Sequence, residues 1–284
     1  MRLALRILAA TLLIATTIGC SSQSRFIRNN PVIRYLYYPP KVENMERGLG
    51  RNTEGGSFDH SAYARLLSEY VNDDGVVNYV GLETKRAELD AYLDSVAAAD
   101  RSMLSRYDDL ALLLNAYNAC TLALILDFPG IDSIQDIPKD KRWRNPRWVV
   151  GGEQLCLYRL EHGIIRPEFT EPLIHFALVC AARGCPKLRN EPYEGDRLLE
   201  QLVDQAQHFL AQSENLAIDL QSRELFLSEL FDWYKGDFTA GDVELRDWGA
   251  RYGPRPLHRQ ITTLHRRIDI KYVEYDWGLN GPWR

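Results

Sequence analysis

The chain is 284 residues long, 45% hydrophobic and carries a formal net charge of −5, with 34 basic residues against 39 acidic ones. Such length and apolar content support a large buried core and exclude a low-complexity or disordered polypeptide. The acidic balance, without a clustered basic face, argues against a nucleic-acid partner.

Arg2 and Arg6 precede an almost wholly apolar run from Ile7 to Ile18, and Gly19 stands directly before Cys20. A positive start, a short apolar stretch and a small residue at its end make a secretory signal, and the run is too short to remain as a membrane-spanning helix. The pattern resembles a bacterial lipobox, with Thr17 where leucine is usual. Residues 1–19 are then a signal peptide and Cys20 is the lipidation site. The alternative is a plain secretory signal followed by an unmodified cysteine. Ser21, rather than an aspartate, follows the cysteine, so the expected place is the bacterial cell envelope, as an outer-membrane lipoprotein facing the periplasm. The membrane would be a partner through that N-terminal lipid.

Residues 20–58 read as a tether, containing Arg25, Arg28, Arg34, Pro39, Pro40, Gly55 and Gly56. A flexible segment of this length reaches roughly 35 Å. Its arginines are either simply solvated or touch anionic headgroups, each contributing about 1 kcal/mol at most.

Residues 59–284 show no fixed-period repeat and read as one globular domain. An Asp-His-Ser start followed by Tyr63, Leu66, Leu67 and Tyr70 predicts an N-capped amphipathic helix over 59–72. Residues 76–80 alternate like a short strand, and Leu89, Tyr92, Leu93 and Val96 restore helical spacing over 83–97. From Tyr107 to Phe128 the chain is apolar nearly all round, the mark of a buried helix. Asn115 and Asn118 lie inside it, on neighbouring points of one face. Buried amides need partners, so they either pin loops or serve a site by orienting an imidazole or donating to an oxyanion.

Residues 132–148 form a polar connection that packs back through Trp143 and Trp148. A hairpin is expected over 149–157, turning at Gly151-Gly152, and then a short helix over 158–166 that carries Glu161, His162 and Arg166. Adjacent Glu and His do not face each other on a helix, and no HExxH pattern is present, which excludes the zinc-protease arrangement.

The segment HFALVCAARGCPKLR, His175 to Arg189, is the most informative in the chain. Residues 173–180 read as a strand with both faces covered, placing His175 where burial favours the neutral, proton-accepting imidazole. Gly184 and Pro186 then shape a rigid turn that presents Cys185, a position suited to a working thiol. The bland alternative is a core histidine and an inert buried cysteine. An amphipathic helix over 195–212, a hairpin joining 216–220 to 224–227, a helix beginning in LFDWYKGDF, a helix over 256–267 and a final strand over 268–275 complete the expected elements. The closing residues Asp276, Trp277 and Asn280 are expected to cover the site, with an acid as third member of a Cys-His arrangement.

The runs LLLNAYNACTLALIL, LEHGIIRP, IHFALVCAARGCPKLRNEPY, LFDWYKGDF and YDWGLNGP together resemble the domain of unknown function 547 family. The resemblance runs from about Tyr63 to the C-terminus and implies a family frequent in bacterial envelope proteins, with no firmly attached activity. It matches Asn115, Asn118, Glu161, His162, Arg166, His175 and Cys185 to the family's motif positions.

In an oxidising compartment Cys120, Cys156, Cys180 and Cys185 permit two disulfides in three pairings. Four residues separate Cys180 from Cys185, so neither a CxxC redox motif nor a standard zinc knuckle is present, and no metal or cofactor is expected. The expected fold is α+β, a helix-rich single domain with a small, mostly antiparallel sheet. The expected function is a cysteine-dependent hydrolase or acyltransferase acting on an amide or ester of a small-molecule or peptide ligand. Cys185 is its nucleophile and His175 its base; Asn118, Glu161 and His162 assist; Asn115, Arg166 and Arg189 bind. The alternatives are a non-catalytic binding lipoprotein with a structural Cys/His cluster, and a redox protein using Cys180 with Cys185.

Overall fold

The computed structural model describes residues 54–283, apart from Asp242, His265 and Arg266. The signal segment, Cys20 and the tether up to residue 53 therefore lie outside the described residues. The described chain begins pinned to the domain: Gly56 N–H donates to the Met103 carbonyl at 2.7 Å, and Ser105 N–H to the Gly56 carbonyl at 2.8 Å.

Helix α1, Ser61–Tyr70, buries Tyr63, Leu66, Leu67 and Tyr70 on one face. His60 takes the cap position instead of Asp59, and its buried ring bonds the Tyr92 hydroxyl at 2.8 Å. The strand expected at 76–80 is only a bridge between Val71 and Val77. Asn78 ends it by accepting from Gly81 N–H and so capping α2, Tyr79–Glu83. Helix α3, Arg86–Ala97, follows and packs on α4, Arg106–Leu126.

Ser105 caps α4, Asp108 and Asp109 complement its dipole in the first turn, and every residue from Leu110 to Leu126 is buried. The helix is apolar and long enough to cross a bilayer, yet 94% of its most apolar window is buried in the domain. Burial of each large side chain contributes about 1.5–3 kcal/mol, which makes α4 the axis of the core.

Strands β1, Trp148–Val150, and β2, Glu153–Leu155, form the predicted hairpin, with Gly151 and Gly152 both at positive φ. Next comes α5, a continuous helical stretch made of Leu157–Leu160, a π-helical turn at Glu161–Ile165, and Arg166–Phe169. Helix α6, Leu198–Ala211, buries Leu198, Leu202, Ala206, Phe209 and Leu210. Strands β3, Leu216–Asp219, and β4, Glu224–Ser228, pair antiparallel as expected. They are followed by the single turns α7, Leu230–Trp233, and α8, Lys235–Phe238, then α9, Leu245–Tyr252, and α10, Arg255–Leu264. Helix α9 has no counterpart among the sequence expectations. Its start is fixed by a box in which Glu244 and Asp247 each accept from the other's end of the turn. Strand β5, Asp269–Val273, joins β4 in parallel. The result is an α+β, helix-rich domain whose two small sheets are antiparallel in two of three pairings.

A second expected strand is absent. Residues 173–180 contain a 3-10 turn, Pro172–Phe176, followed by extended chain. Pro172 at the first helical position and the Glu171 carboxylate, which accepts from Leu173 N–H, start that turn. Beyond it, buried amide side chains replace a strand ladder: Gln205 donates to the Phe176 carbonyl at 3.0 Å, and Asn118 bonds Ala177 and Val179.

Burial pushes the Glu171 carboxyl up to about 7, against the lowering effects of Leu173 N–H and Arg251. The folded state thus keeps a proton that the unfolded chain loses near 4.5. The associated stability is complete below that value, falls as pH rises, and is lost above about 7. Glu171→Gln, which keeps the acceptor, is expected to flatten this dependence and to be about 1–3 kcal/mol more stable at pH 8 than the wild type. Urea unfolding at pH 5 and pH 8 measures it; parallel pH profiles for the two proteins would contradict the assignment.

Candidate functional site

The cysteine turn is built by a meeting of two distant segments. Arg183 N–H donates to Gly278 O at 2.7 Å, Gly184 N–H to Asp276 O at 2.9 Å, and Asn280 N–H to Ala181 O at 2.9 Å. The C-terminal stretch therefore lies along residues 181–184 and brings Tyr275 onto the sulfur. Left-handed backbone occurs at Ala181, with φ 63°, and not at Gly184. Gly184 matters for another reason: a Cβ there would stand 3.0 Å from the Tyr275 ring and from Asp276 N, so a larger residue would push the tyrosine from its place by a few tenths of an ångström. Gly281 allows a similar approach to the Val77 backbone further along.

Cys185 Sγ accepts from Tyr275 Oη–H at 2.9 Å and from Cys180 N–H at 3.0 Å, and it lies 2.8 Å from Cys180 Sγ. Burial pushes its thiol up, but bonds from Cys180 and Tyr275 outweigh that and hold it below the ordinary value. Cys180 moves the other way, well above its ordinary value, because it shares its bond with Cys185 and is itself buried. Two thiols of identical chemistry are thereby made unequal, with Cys185 the better thiolate.

The second half of the site gathers around Asp237 of α8. His175 Nε2 lies 2.8 Å from Asp237 Oδ2, and Arg166 grips the same carboxylate with both arms, at 2.7 and 3.0 Å. Burial raises Asp237, but the bonds from His175 and Arg166 prevail and keep it far below the usual carboxylate range. An ionised carboxylate only accepts, so His175 carries its proton on Nε2. Burial lowers the affinity of His175 for a second proton, with Asp237 opposing. Its Nδ1 is buried without a hydrogen-bond partner among the described residues, and its ring stacks on Tyr234 at 3.8 Å between centroids.

The π turn of α5 supplies the neighbours. Arg166 Nη1 donates to His162 Nδ1 at 2.7 Å, and Tyr234 Oη donates to Glu161 Oε1 at 2.5 Å. The wide turn also brings Glu161 and His162 to 3.7 Å, an approach that regular helical spacing would not predict.

One cavity of about 530 Å³ joins the halves, lined by His162, His175, Cys180, Cys185, Tyr234 and Tyr275 among others. A second, of about 580 Å³, lies against the turn and shares Cys185 and Pro186 with the first. The sulfur and the imidazole thus face one space, but they are not hydrogen-bonded partners as the sequence suggested. Cys185 is held by Tyr275 and Cys180, and His175 by Asp237. The acid near the imidazole is Asp237 of LFDWYKGDF, not Asp276, which is exposed and lies 3.8 Å from Arg183.

Asn118 and Asn115 act as clamps. Asn118 donates to Ala177 O at 3.0 Å and accepts from Val179 N–H at 2.9 Å; Asn115 does the same to Tyr193 O and N–H, at 2.8 and 2.9 Å. With both ends of each amide engaged by backbone, the imidazole-orienting and oxyanion roles give way to loop pinning. Arg189 pairs with Glu191 and Asp204 and lines neither cavity, so the ligand-binding role expected for it has no geometric basis. All four described cysteines are free, Cys120 within α4 and Cys156 at the start of α5. Among the described residues no group of three or more His, Cys, Asp or Glu is arranged to hold a metal ion. Asp237, Tyr234 and Tyr275 were not singled out as site residues. The available signal was the acid three positions after a tyrosine in an aromatic run otherwise suited to core anchoring.

Residues 101–210 match the family described as "Protein of unknown function, DUF547". This segment contains every motif position from Asn115 to Cys185, while Tyr234, Asp237 and Tyr275 lie beyond it. No curated protein and no solved structure matches the chain.

Proposed function

We propose that this domain is a thiol-dependent acyl-transfer enzyme, a hydrolase or acyltransferase acting on an ester or amide. The observation that carries the reading is a buried sulfur held as an acceptor by Tyr275 and Cys180 on the wall of a cavity also lined by His175, whose Nε2 is held from behind by Asp237. Cys185 gives its proton to Nδ1 of His175 and attacks the carbonyl carbon; a C–S bond forms and the C–O or C–N bond breaks. The leaving group takes that proton from the imidazolium, which Asp237 stabilises. Water, or another acceptor, then attacks the thioester, and its proton returns the sulfur to the thiol. Glu161, His162 and Arg166 hold Tyr234 and Asp237 in place.

4-Nitrophenyl acetate tests the scheme. Intact-protein mass spectrometry should show one acetyl group on Cys185, and Cys185→Ser should abolish it. Asp237→Asn should slow acylation by about 100-fold or more, because the imidazolium loses the carboxylate that orients and stabilises it. Acetylation that is indifferent to Cys185→Ser would overturn the proposal.

The contact between Cys180 and Cys185 favours a second reading, dithiol exchange. There the Cys185 thiolate attacks an external disulfide, Cys180 resolves the mixed disulfide, and the partner leaves as two thiols. Acetylation without any reduction of a small disulfide such as oxidised glutathione separates the first reading from this one. In either case the segment ending at Cys20 is proposed as a lipid anchor in the bacterial envelope, and Cys20→Ser should move the protein from the membrane to the soluble fraction.

A further inference from the structure

The protein is acidic overall, yet among the described residues no aspartate or glutamate lines the 530 Å³ cavity, whereas Lys139, Arg142 and Arg144 do. All three come from the loop between α4 and β1. Arg142 donates to the carbonyls of Ile137 and Gln135, which fixes its position without cancelling its charge. Arg144 lies 3.7 Å over the Tyr158 ring, and neither it nor Lys139 has an ion-pair partner among the described residues. Stacking on an aromatic face leaves the edge of a guanidinium free to fork a carboxylate. Of the acids near the site, Glu161 is engaged by Tyr234 and Asp237 by His175 and Arg166, and Asp136, which acts on Arg142, does not line the cavity. The lining is otherwise strongly aromatic: Trp233 and Trp277 stack at 5.6 Å, Trp143 meets Trp277 edge-on at 6.1 Å, and Arg142 lies 5.0 Å over the Trp143 ring.

We propose that this cavity selects an anionic acyl compound: a carboxylate held at the mouth by Arg144 and Lys139, an aromatic or apolar body against Trp143, Trp233 and Trp277, and the reacting carbonyl directed inward to Cys185. The assignment deepens the acyl-transfer reading and rests on it for the identity of the reacting group. Low-dielectric walls lined by one sign of charge concentrate ligands of the opposite sign, and Arg144 and Lys139, both exposed, present that charge where the cavity meets solvent.

Calorimetric titration with N-acetyl-phenylalanine and with its uncharged amide isolates the charge, since the two probes share ring and acyl group. The carboxylate is expected to bind about fivefold to tenfold more tightly at low salt, with the preference shrinking as salt is added. The double variant Arg144→Gln, Lys139→Gln should reduce it to less than about twofold. Equal or tighter binding of the amide, no saturable binding of either probe, or a preference that survives in the double variant would each overturn the inference. Cys185→Ser should keep the preference, because charge selection does not need the sulfur. Loss of acylation alone therefore counts against the enzyme reading, and loss of the preference alone counts against this one.

Discussion

Replacing Tyr275 with phenylalanine is expected to slow alkylation of Cys185 by iodoacetamide at pH 7 about fivefold to fifteenfold. The Tyr275 hydroxyl donates to the sulfur at 2.9 Å, and it is among the donors that keep the thiol below its ordinary value despite burial. A hydrogen bond to a charged acceptor contributes about 1.5–3 kcal/mol, so its loss lowers the thiolate population by about 10- to 100-fold. A more basic thiolate is a better nucleophile, and this returns nearly half of the loss on a logarithmic scale. The phenyl ring keeps its contacts with Trp233 and Trp277, at 4.8 Å each, so the fold should persist. Labelling of Cys156, which takes no part in this cluster, serves as the internal control. An unchanged Cys185 rate with an intact control would mean that the tyrosine is packing and nothing more.

That tyrosine shows where sequence reading ends. Features fixed by neighbours along the chain were legible. The all-round apolar run that became α4 and the glycine pair that turns the first hairpin both follow from local pattern, whereas the turn presenting Cys185 is held by backbone bonds to residues 276–280. The site partners are non-local: Tyr275 is 90 positions from Cys185, and Asp237 is 62 from His175. No periodicity carries that information. The missed 3-10 turn at Pro172–Phe176 has a different cause. Apolar residues on both faces are consistent with any fully buried conformation, and the choice was made by Glu171, Gln205 and Asn118, whose side chains satisfy the backbone there. The adjacent Glu161 and His162 were set apart by regular helical spacing, which a π turn does not obey.

Asn118→Ala is expected to destabilise the domain by about 2–5 kcal/mol. Asn118 is 3% exposed, and its amide satisfies both the Ala177 carbonyl and the Val179 N–H across α4. Removing it leaves two buried backbone groups without partners, each costing about 1–3 kcal/mol, against a gain of about 0.6 kcal/mol from the helix preference of alanine. The damage should also reach the chemistry. Val179 precedes Cys180, whose N–H holds the Cys185 sulfur at 3.0 Å, so slackening at 177–179 should slow Cys185 labelling in the fraction that remains folded. Asn118→Asp divides the two effects: its carboxyl retains the acceptor for Val179 N–H and, while protonated, a donor to Ala177 O that it loses on ionising. Ionisation is disfavoured in the core, so the stability of this variant should fall as pH rises through the neutral range. Denaturant unfolding and labelling on the same samples decide the matter. A loss below about 0.5 kcal/mol in Asn118→Ala would show that water replaces the amide, and that the turn bearing Cys185 is held without α4.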